Sequence, residues 1–325
     1  MRSRFSLVLA ALASLTPSVA AAQMPSGVVL PPQAGGPPLP PAPSAASRSD
    51  VAFAAYQRGY YVTALKEAMK TLSGDPKDAA AMTLIGELYR AGAGVTPDPT
   101  EARHWYKLAA ELGDRQARFA LGLLLLTGEG GEKDRAGAAA LFEQAAAQGH
   151  AGALYNLGVM ALEGDDKTKP DFAKAADLFK RSAELGNGDA AYSYGLLVRS
   201  GRGVALDTAE GANWIKKSAD DGIVAGQIEY AIMLFNGEGV DRDEVAAAKM
   251  FGKAAAQNNP IAQNRLAHLY ATGRGVKRDL AQAVAWNMLA AAAGVKDAQL
   301  DELTADLTPQ QRAAALEMVR RQTTF

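Results

Sequence analysis

The sequence contains no cysteine. No disulfide can staple the chain and no thiolate can serve as nucleophile or metal ligand, so stability has to come from packing. Charge of either sign is also scarce in excess. The formal net charge is −1, which leaves no long-range field to draw the whole molecule onto nucleic acid or an anionic membrane. Histidine occurs only as His104, His150 and His268. These occupy three different positions of the pattern described below, so local spacing does not bring them onto one metal ion. Neither Ser-x-x-Lys nor Gly-x-Ser-x-Gly is present, and the Gly252-Lys253 pair precedes Ala254 and has Ala247 where a P-loop glycine belongs. The sequence therefore offers no catalytic, cofactor or metal constellation.

Long apolar runs are missing too. The run Phe5 to Leu15 is 11 residues, well short of the roughly 20 that a spanning helix needs. It follows Arg2 and Arg4 and leads into Ala20-Ala21-Ala22 before Gln23, the layout of a cleavable secretory leader over residues 1–22. The mature chain is expected in the periplasm or outside the cell, without stable membrane insertion. Residues 23–49 follow. No residue between Arg4 and Arg48 is charged, and eight of the 15 prolines fall between Pro25 and Pro43. Such a segment buries too little apolar surface to fold, and it is read as an extended, disordered spacer, with a Pro-rich recognition motif as the alternative.

What is present is a repeat. RLAHLYATGRGV at 265–276 has five relatives, beginning at Leu84, Ala120, Asn156, Ser193 and Glu229, so that successive starts lie 36, 36, 37, 36 and 36 residues apart. A second block keeps register with the first: WYKLAA from Trp105, then blocks from Leu141, Leu178, Trp214, Met250 and Trp286. Each unit thus holds two apolar-periodic segments and none with a period of two, which predicts a helical hairpin. The 48% apolar residues supply a continuous core.

The punctuation marks both ends of the second helix. Asp98, Asp134, Asp171, Asp207, Asp243 and Asp279 precede it as N-caps, and this role accounts for all six aspartates without acid catalysis. Glu101, Glu210 and Gln282 stand where a capping box would place them, and Pro99 takes the first helical position. Gly113, Gly149, Gly186, Gly222, Asn258 and Gly294 follow its end, where a left-handed residue is wanted. In the first helix a small residue recurs at Gly86, Gly122, Gly158, Gly195, Ala231 and Ala267. It reads as a notch against the bulky Trp, Leu or Met of the second helix. The Gly-x-Gly bends, such as Gly273-Arg274-Gly275, lack the third glycine of a dinucleotide fingerprint and follow a helix rather than a strand, so they serve backbone geometry.

This pattern, L-G-x-L-Y-x-x-G-x-G-V, then Asp, Ala and W-Y-x-K-A-A-E-x-G, resembles the Sel-one-like repeat, a branch of the tetratricopeptide-like repeats. The resemblance implies an all-α solenoid, a right-handed superhelix with a concave face lined by first helices. The expected boundaries are a capping hairpin at 50–77, six repeats over 78–299 (78–113, 114–149, 150–186, 187–222, 223–258 and 259–299) and a closing helix in 300–325. Gly164-Asp165-Asp166 and one inserted residue set the third unit apart. Relatives act as scaffolds and adaptors, some exported ones restraining a sensor kinase from the periplasmic side. A cysteine-rich branch is associated with β-lactam binding and hydrolysis, whose disulfides this chain cannot form.

The first helices carry the candidate site. Positions three before, one after and four after the central small residue share one helical stripe, which the resemblance places on the concave groove. The stripe reads Phe119-Leu123-Leu126, Tyr155-Val159-Leu162, Tyr192-Leu196-Arg199 and Ile228-Ile232-Phe235, with Thr83-Glu87-Arg90 and Asn264-His268-Ala271 at the edges. Phe119, Tyr155, Tyr192, Ile228 and Phe235 are candidate anchors for a protein or peptide, with Arg199 as carboxylate clamp. The pattern equally allows neighbouring units to bury the same stripe. The expected function is an exported, non-enzymatic scaffold in cell-envelope organisation or signalling, with a protein or peptide partner, no cofactor, no metal and no nucleic acid. The rival is an envelope enzyme acting on β-lactam or peptidoglycan through scattered residues.

Overall fold

The computed structural model describes residues 48–165 and 168–323, so residues 1–22, read as a leader, and nearly all of the Pro-rich segment lie outside the described residues. Among those residues there are 16 helices and no strand. They are α1 (Arg48–Gln57), α2 (Tyr61–Gly74), α3 (Ala79–Ala91), α4 (Pro99–Glu111), α5 (Arg115–Thr127), α6 (Arg135–Ala147), α7 (Ala151–Glu163) and α8 (Phe172–Glu184). There follow α9 (Gly188–Ser200), α10 (Thr208–Asp220), α11 (Val224–Asn236), α12 (Glu244–Ala256), α13 (Pro260–Thr272), α14 (Leu280–Ala292), α15 (Ala298–Glu302) and α16 (Pro309–Thr323). Helix α1 begins inside the segment read as spacer. No helix among the described residues is long and apolar enough to cross a membrane.

Two compact units hold these helices. One runs from α1 to Pro170 and includes residues 184–187, and the other comprises residues 171–183 and the chain from Gly188 onward. Within each unit a helix packs mainly on its neighbours in sequence, as in an α-solenoid.

All six expected aspartate caps form. Asp98 accepts from the Thr100 and Glu101 amides, Asp134 from Gly137, Asp171 from Lys174, Asp207 from Ala209 and Glu210, Asp243 from Ala246 and Asp279 from Gln282. The reciprocal half of the capping box does not form at Glu101, Glu210 or Gln282. There the cap amide turns back instead onto the preceding first helix: Asp98 N donates to Tyr89 O at 3.0 Å, Asp207 N to Val198 O at 3.1 Å and Asp279 N to Tyr270 O at 3.0 Å. A backbone acceptor fixed by the hairpin displaces the mobile side chain. A full capping box does occur at the closing helix, where Gln311 Oε1 accepts from Thr308 N at 3.0 Å and Thr308 Oγ1 accepts from Gln311 N at 3.3 Å.

The first helices have caps of their own, which the repeat pattern did not single out. Asp78, Asp114, His150 and Asn259 accept from the amide three residues on. Each stands directly or one residue after a helix-ending turn, so one short link both stops a second helix and starts the next first helix. The left-handed residues are as expected, with φ of +94° at Gly113, +75° at Gly149, +90° at Gly186, +87° at Gly222, +61° at Asn258 and +93° at Gly294.

The notch receives a different side chain from the one expected. A Cβ on Gly86 would stand 2.8 Å from the Tyr106 ring, one on Gly122 2.6 Å from Phe142 and one on Gly195 2.7 Å from Ile215. These are the residues following Trp105, Leu141 and Trp214, and one residue along a helix turns the side chain by about 100°. Tyr106, Phe142 and Ile215 are fully buried, as Phe179 and Phe251 nearly are, each contributing about 1.5–3 kcal/mol of burial.

The Gly-x-Gly bends do more than turn the chain. The first glycine ends the helix in the left-handed region, with φ of +75° at Gly273. The second stacks the repeats. A Cβ on Gly130, Gly203, Gly239 or Gly275 would overlap the backbone of Pro99, Phe172, Thr208 or Glu244, the first residue of the preceding second helix in each case. The third repeat holds its bend through side chains. Asp165 Oδ1 accepts from Thr168 N and Thr168 Oγ1 at 2.7 Å, and Arg135 Nη2 donates to Gly164 O at 3.0 Å.

Candidate functional site

The stripe on α3, α5 and α7 belongs to the first unit. Thr83 is buried, donating to Ala79 O at 2.8 Å and to the capping Asp114 Oδ1 at 3.1 Å. Glu87 accepts from Arg90 Nη2 at 2.7 Å and from Tyr106 Oη at 2.7 Å. Burial first, and the Glu87 charge second, hold the Tyr106 phenol well above its ordinary range. Phe119 is half-buried, its ring stacked on His150 at 4.3 Å and 5.8 Å from Phe142. Gly152 leaves room for it, since a Cβ there would lie 3.0 Å from Phe119 Cζ.

His150 is placed by two contacts that select one tautomer. Its Nδ1 accepts from Ala153 N at 3.1 Å, so the proton sits on Nε2, 3.0 Å from Gln116 Oε1. Burial, and then the Arg115 charge, push its pKa down to about 4. Tyr155 on α7 is half-buried, with Val159 and Leu162 alongside it in sequence and similarly exposed.

In the second unit the stripe lies on α9, α11 and α13. Tyr192 is half-buried, and burial followed by the Glu229 charge raises its phenol pKa. Arg199 is already occupied. It pairs with Glu229 of α11, and its Nε lies 3.8 Å from Glu238 Oε1, with 9% of the Arg199 and 4% of the Glu229 side chain exposed. The carboxylate expected from a partner is thus supplied from within the chain. Ile228 and Ile232 are half-buried, whereas Phe235 is 3% exposed beneath the Arg274 guanidinium, 4.0 Å from its ring centre. Arg274 in turn donates to Glu244 at 2.6 Å, so Phe235 braces a bend.

At the far end His268 and Asn264 are buried and share one acceptor, Asp297 Oδ2, at 2.7 and 3.1 Å. The His268 bond, the largest effect, holds the Asp297 carboxyl well below the usual range, and Asp297 also caps α15. No group of three or more His, Asp or Glu among the described residues could hold a metal.

The six candidates therefore divide. Phe119, Tyr155, Tyr192 and Ile228 keep part of their surface accessible, while Arg199 and Phe235 are committed to internal contacts. Glu229 and Asp297 were missed because their partners lie 30 and 29 residues away. The available signal for Glu229 is that it is the single charge in the run from Val224 to Asn236 and directly precedes the apolar stretch Tyr230 to Phe235.

Repeated hairpins capped by side chains and stacked through glycine bends define a helical-repeat scaffold. The family model of the Sel1 repeat matches residues 79–114, 115–150, 151–187, 188–223, 224–259 and 260–295. The chain belongs to the Sel1 repeat family. Among solved structures it is similar to a protective antigen of uropathogenic Escherichia coli displaying an SLR fold. Identity is 25%, 83% of this chain and 60% of that one are covered, and the TM-score is 0.69; the chain thus spans 60% of the antigen's length. It is also similar to a Sel1 repeat protein from Oxalobacter formigenes, with 28% identity, 78% and 99% coverage and a TM-score of 0.66. No curated protein matches.

Proposed function

We propose that the protein is an exported, non-enzymatic scaffold whose first-helix faces bind a protein or peptide of the cell envelope. The observation that carries this is the partial exposure of Phe119 and Tyr155 in the first unit and of Tyr192 and Ile228 in the second. Tyr155 shares its partial exposure with Val159 and Leu162 on α7, and Ile228 with Ile232 on α11, and aromatic anchors of this kind bring area at little entropic cost. Family membership and the leader-like N-terminus support the reading. Arg199 and Phe235 shape the face from behind rather than touching the partner.

The test replaces Tyr155 or Tyr192 with a photoreactive phenylalanine analogue in cells and compares each with Val245, which is 52% exposed on a second helix. Discrete adducts at Tyr155 and Tyr192, absent at Val245, are expected. Adducts identical at all three positions would remove the first-helix assignment. Turnover of a chromogenic β-lactam or of muropeptides that survives repurification would overturn the non-enzymatic reading.

A further inference from the structure

The apolar surface that the family pattern does not explain lies at the N-terminal hairpin. Twelve large hydrophobic residues are exposed among the described residues, and five of them fall in α1, α2 and their link: Val51, Tyr60, Tyr61, Val62 and Met69. Tyr60 is 62% and Val62 68% exposed. Tyr56 stands beside them, its ring edge-on to Tyr61 at 5.5 Å, so three of the chain's 10 tyrosines fall within six residues. The turn between the helices, at Gly59, is open, with no atom within 4 Å of where a Cβ would stand. An open cluster of tyrosines beside a valine is the kind of surface on which polyproline II segments settle, ring faces on pyrrolidines and phenol hydroxyls on the unbonded carbonyls.

The chain carries a proline-rich sequence a few residues upstream. Pro37-Pro38-Leu39-Pro40-Pro41-Ala42-Pro43 precedes the start of α1 at Arg48. A polyproline II strand has three residues per turn, so in that conformation Pro37, Pro40 and Pro43 would fall on one edge and Pro38 and Pro41 on the next. Helix α1 has 10 residues, so Tyr60 lies about 15–20 Å from its start. The residues from Leu39 to Arg48, at about 3.1 Å each, cover that distance. A segment tethered by so short a link would meet the patch at an effective concentration in the millimolar range. A second copy of the chain would need a far larger contact, about 800 Å² per partner in a standard interface.

We propose that residues 37–43 dock as a polyproline II strand on the surface made by Tyr56, Tyr60, Tyr61 and Val62, so that the chain covers the aromatic end of its own first hairpin. The segment is then a cap held by aromatic contacts, and not only a spacer.

The absence of cysteine makes the test clean. In the full chain, Leu39→Cys is combined with Val62→Cys, or with Ser73→Cys at the exposed end of α2 that lies nearer the tether point, and intramolecular disulfide formation is timed. Docking makes the Val62 pair close about ten-fold faster than the Ser73 pair, the difference made by about 1.4 kcal/mol. Adding Tyr60→Ser to the Val62 pair should abolish that advantage. Equal rates, or a faster Ser73 pair, overturn the proposal in favour of a free spacer. Disulfides formed mainly between chains overturn it in favour of a second copy.

Discussion

Alanine substitution at the two glycines of one bend separates a turn from a docking contact. Gly273 and Gly275 have nearly the same conformation, with φ of +75° and +67°, so alanine at either costs about 1–2 kcal/mol in backbone strain. Their surroundings differ. A Cβ on Gly273 would stand 3.1 Å from Arg278 Cβ, a contact that a shift of a few tenths of an ångström in the exposed link at Arg278 relieves, whereas one on Gly275 would overlap the Glu244 carbonyl at the start of α12. Backbone held in a helix start cannot move aside cheaply, and such overpacking adds about 1–3 kcal/mol. Gly273→Ala should lose about 1–2 kcal/mol and Gly275→Ala about 2–5 kcal/mol. Urea unfolding followed by circular dichroism measures both losses, and hydrogen exchange should show faster opening at the first turn of α12 only in Gly275→Ala. Equal losses and unchanged exchange at α12 would refute the docking role and return the second glycine to turn geometry alone.

Two other outcomes follow from the buried polar groups. His150 has a folded pKa of about 4 against an ordinary 6.5, so the unfolded chain binds the proton more readily. Its contribution is complete above pH 6.5 and is lost as pH falls from there to about 4. His150→Asn keeps a cap acceptor and should flatten that part of the stability curve, and NMR titration of the ring gives the pKa directly. Arg199→Ala leaves the Glu229 carboxylate buried without its cation and should cost about 3–5 kcal/mol, whereas Arg199→Met with Glu229→Met should recover most of the loss. A single variant as stable as the parent in thermal unfolding would show the pair to be solvated.

How far the site could be read from sequence follows from the distance over which each contact acts. The caps at Asp98, Asp134, Asp171, Asp207, Asp243 and Asp279, and the left-handed turns such as Gly113 and Asn258, are made within a few residues and stood in the sequence. The stripe itself was legible from helical spacing, but its division was not. Arg199 pairs with Glu229 and Phe235 packs under Arg274 across successive repeats, and no periodicity states whether a side chain points at solvent or at the next unit. The notch shows the same limit at finer scale: the repeat marks Gly86 and the Trp105-Tyr106 pair, and only the rotation of α4 against α3 decides that Tyr106 enters it.

By itself the sequence determined the repeat, its two helices and both ends of the second, because helix starts, helix stops and amphipathic spacing are local consequences of residue chemistry. Tertiary structure decided which bonds the local groups make when a better-placed partner is available. It sent the cap amides to Tyr89, Val198 and Tyr270 rather than to the capping-box side chains, and it set Gly275 against the backbone of Glu244. Packing the two helices of one hairpin fixes those acceptors, nine residues from the caps, and stacking one hairpin on the next fixes the clearance at Gly275 through contacts about one repeat apart in the chain.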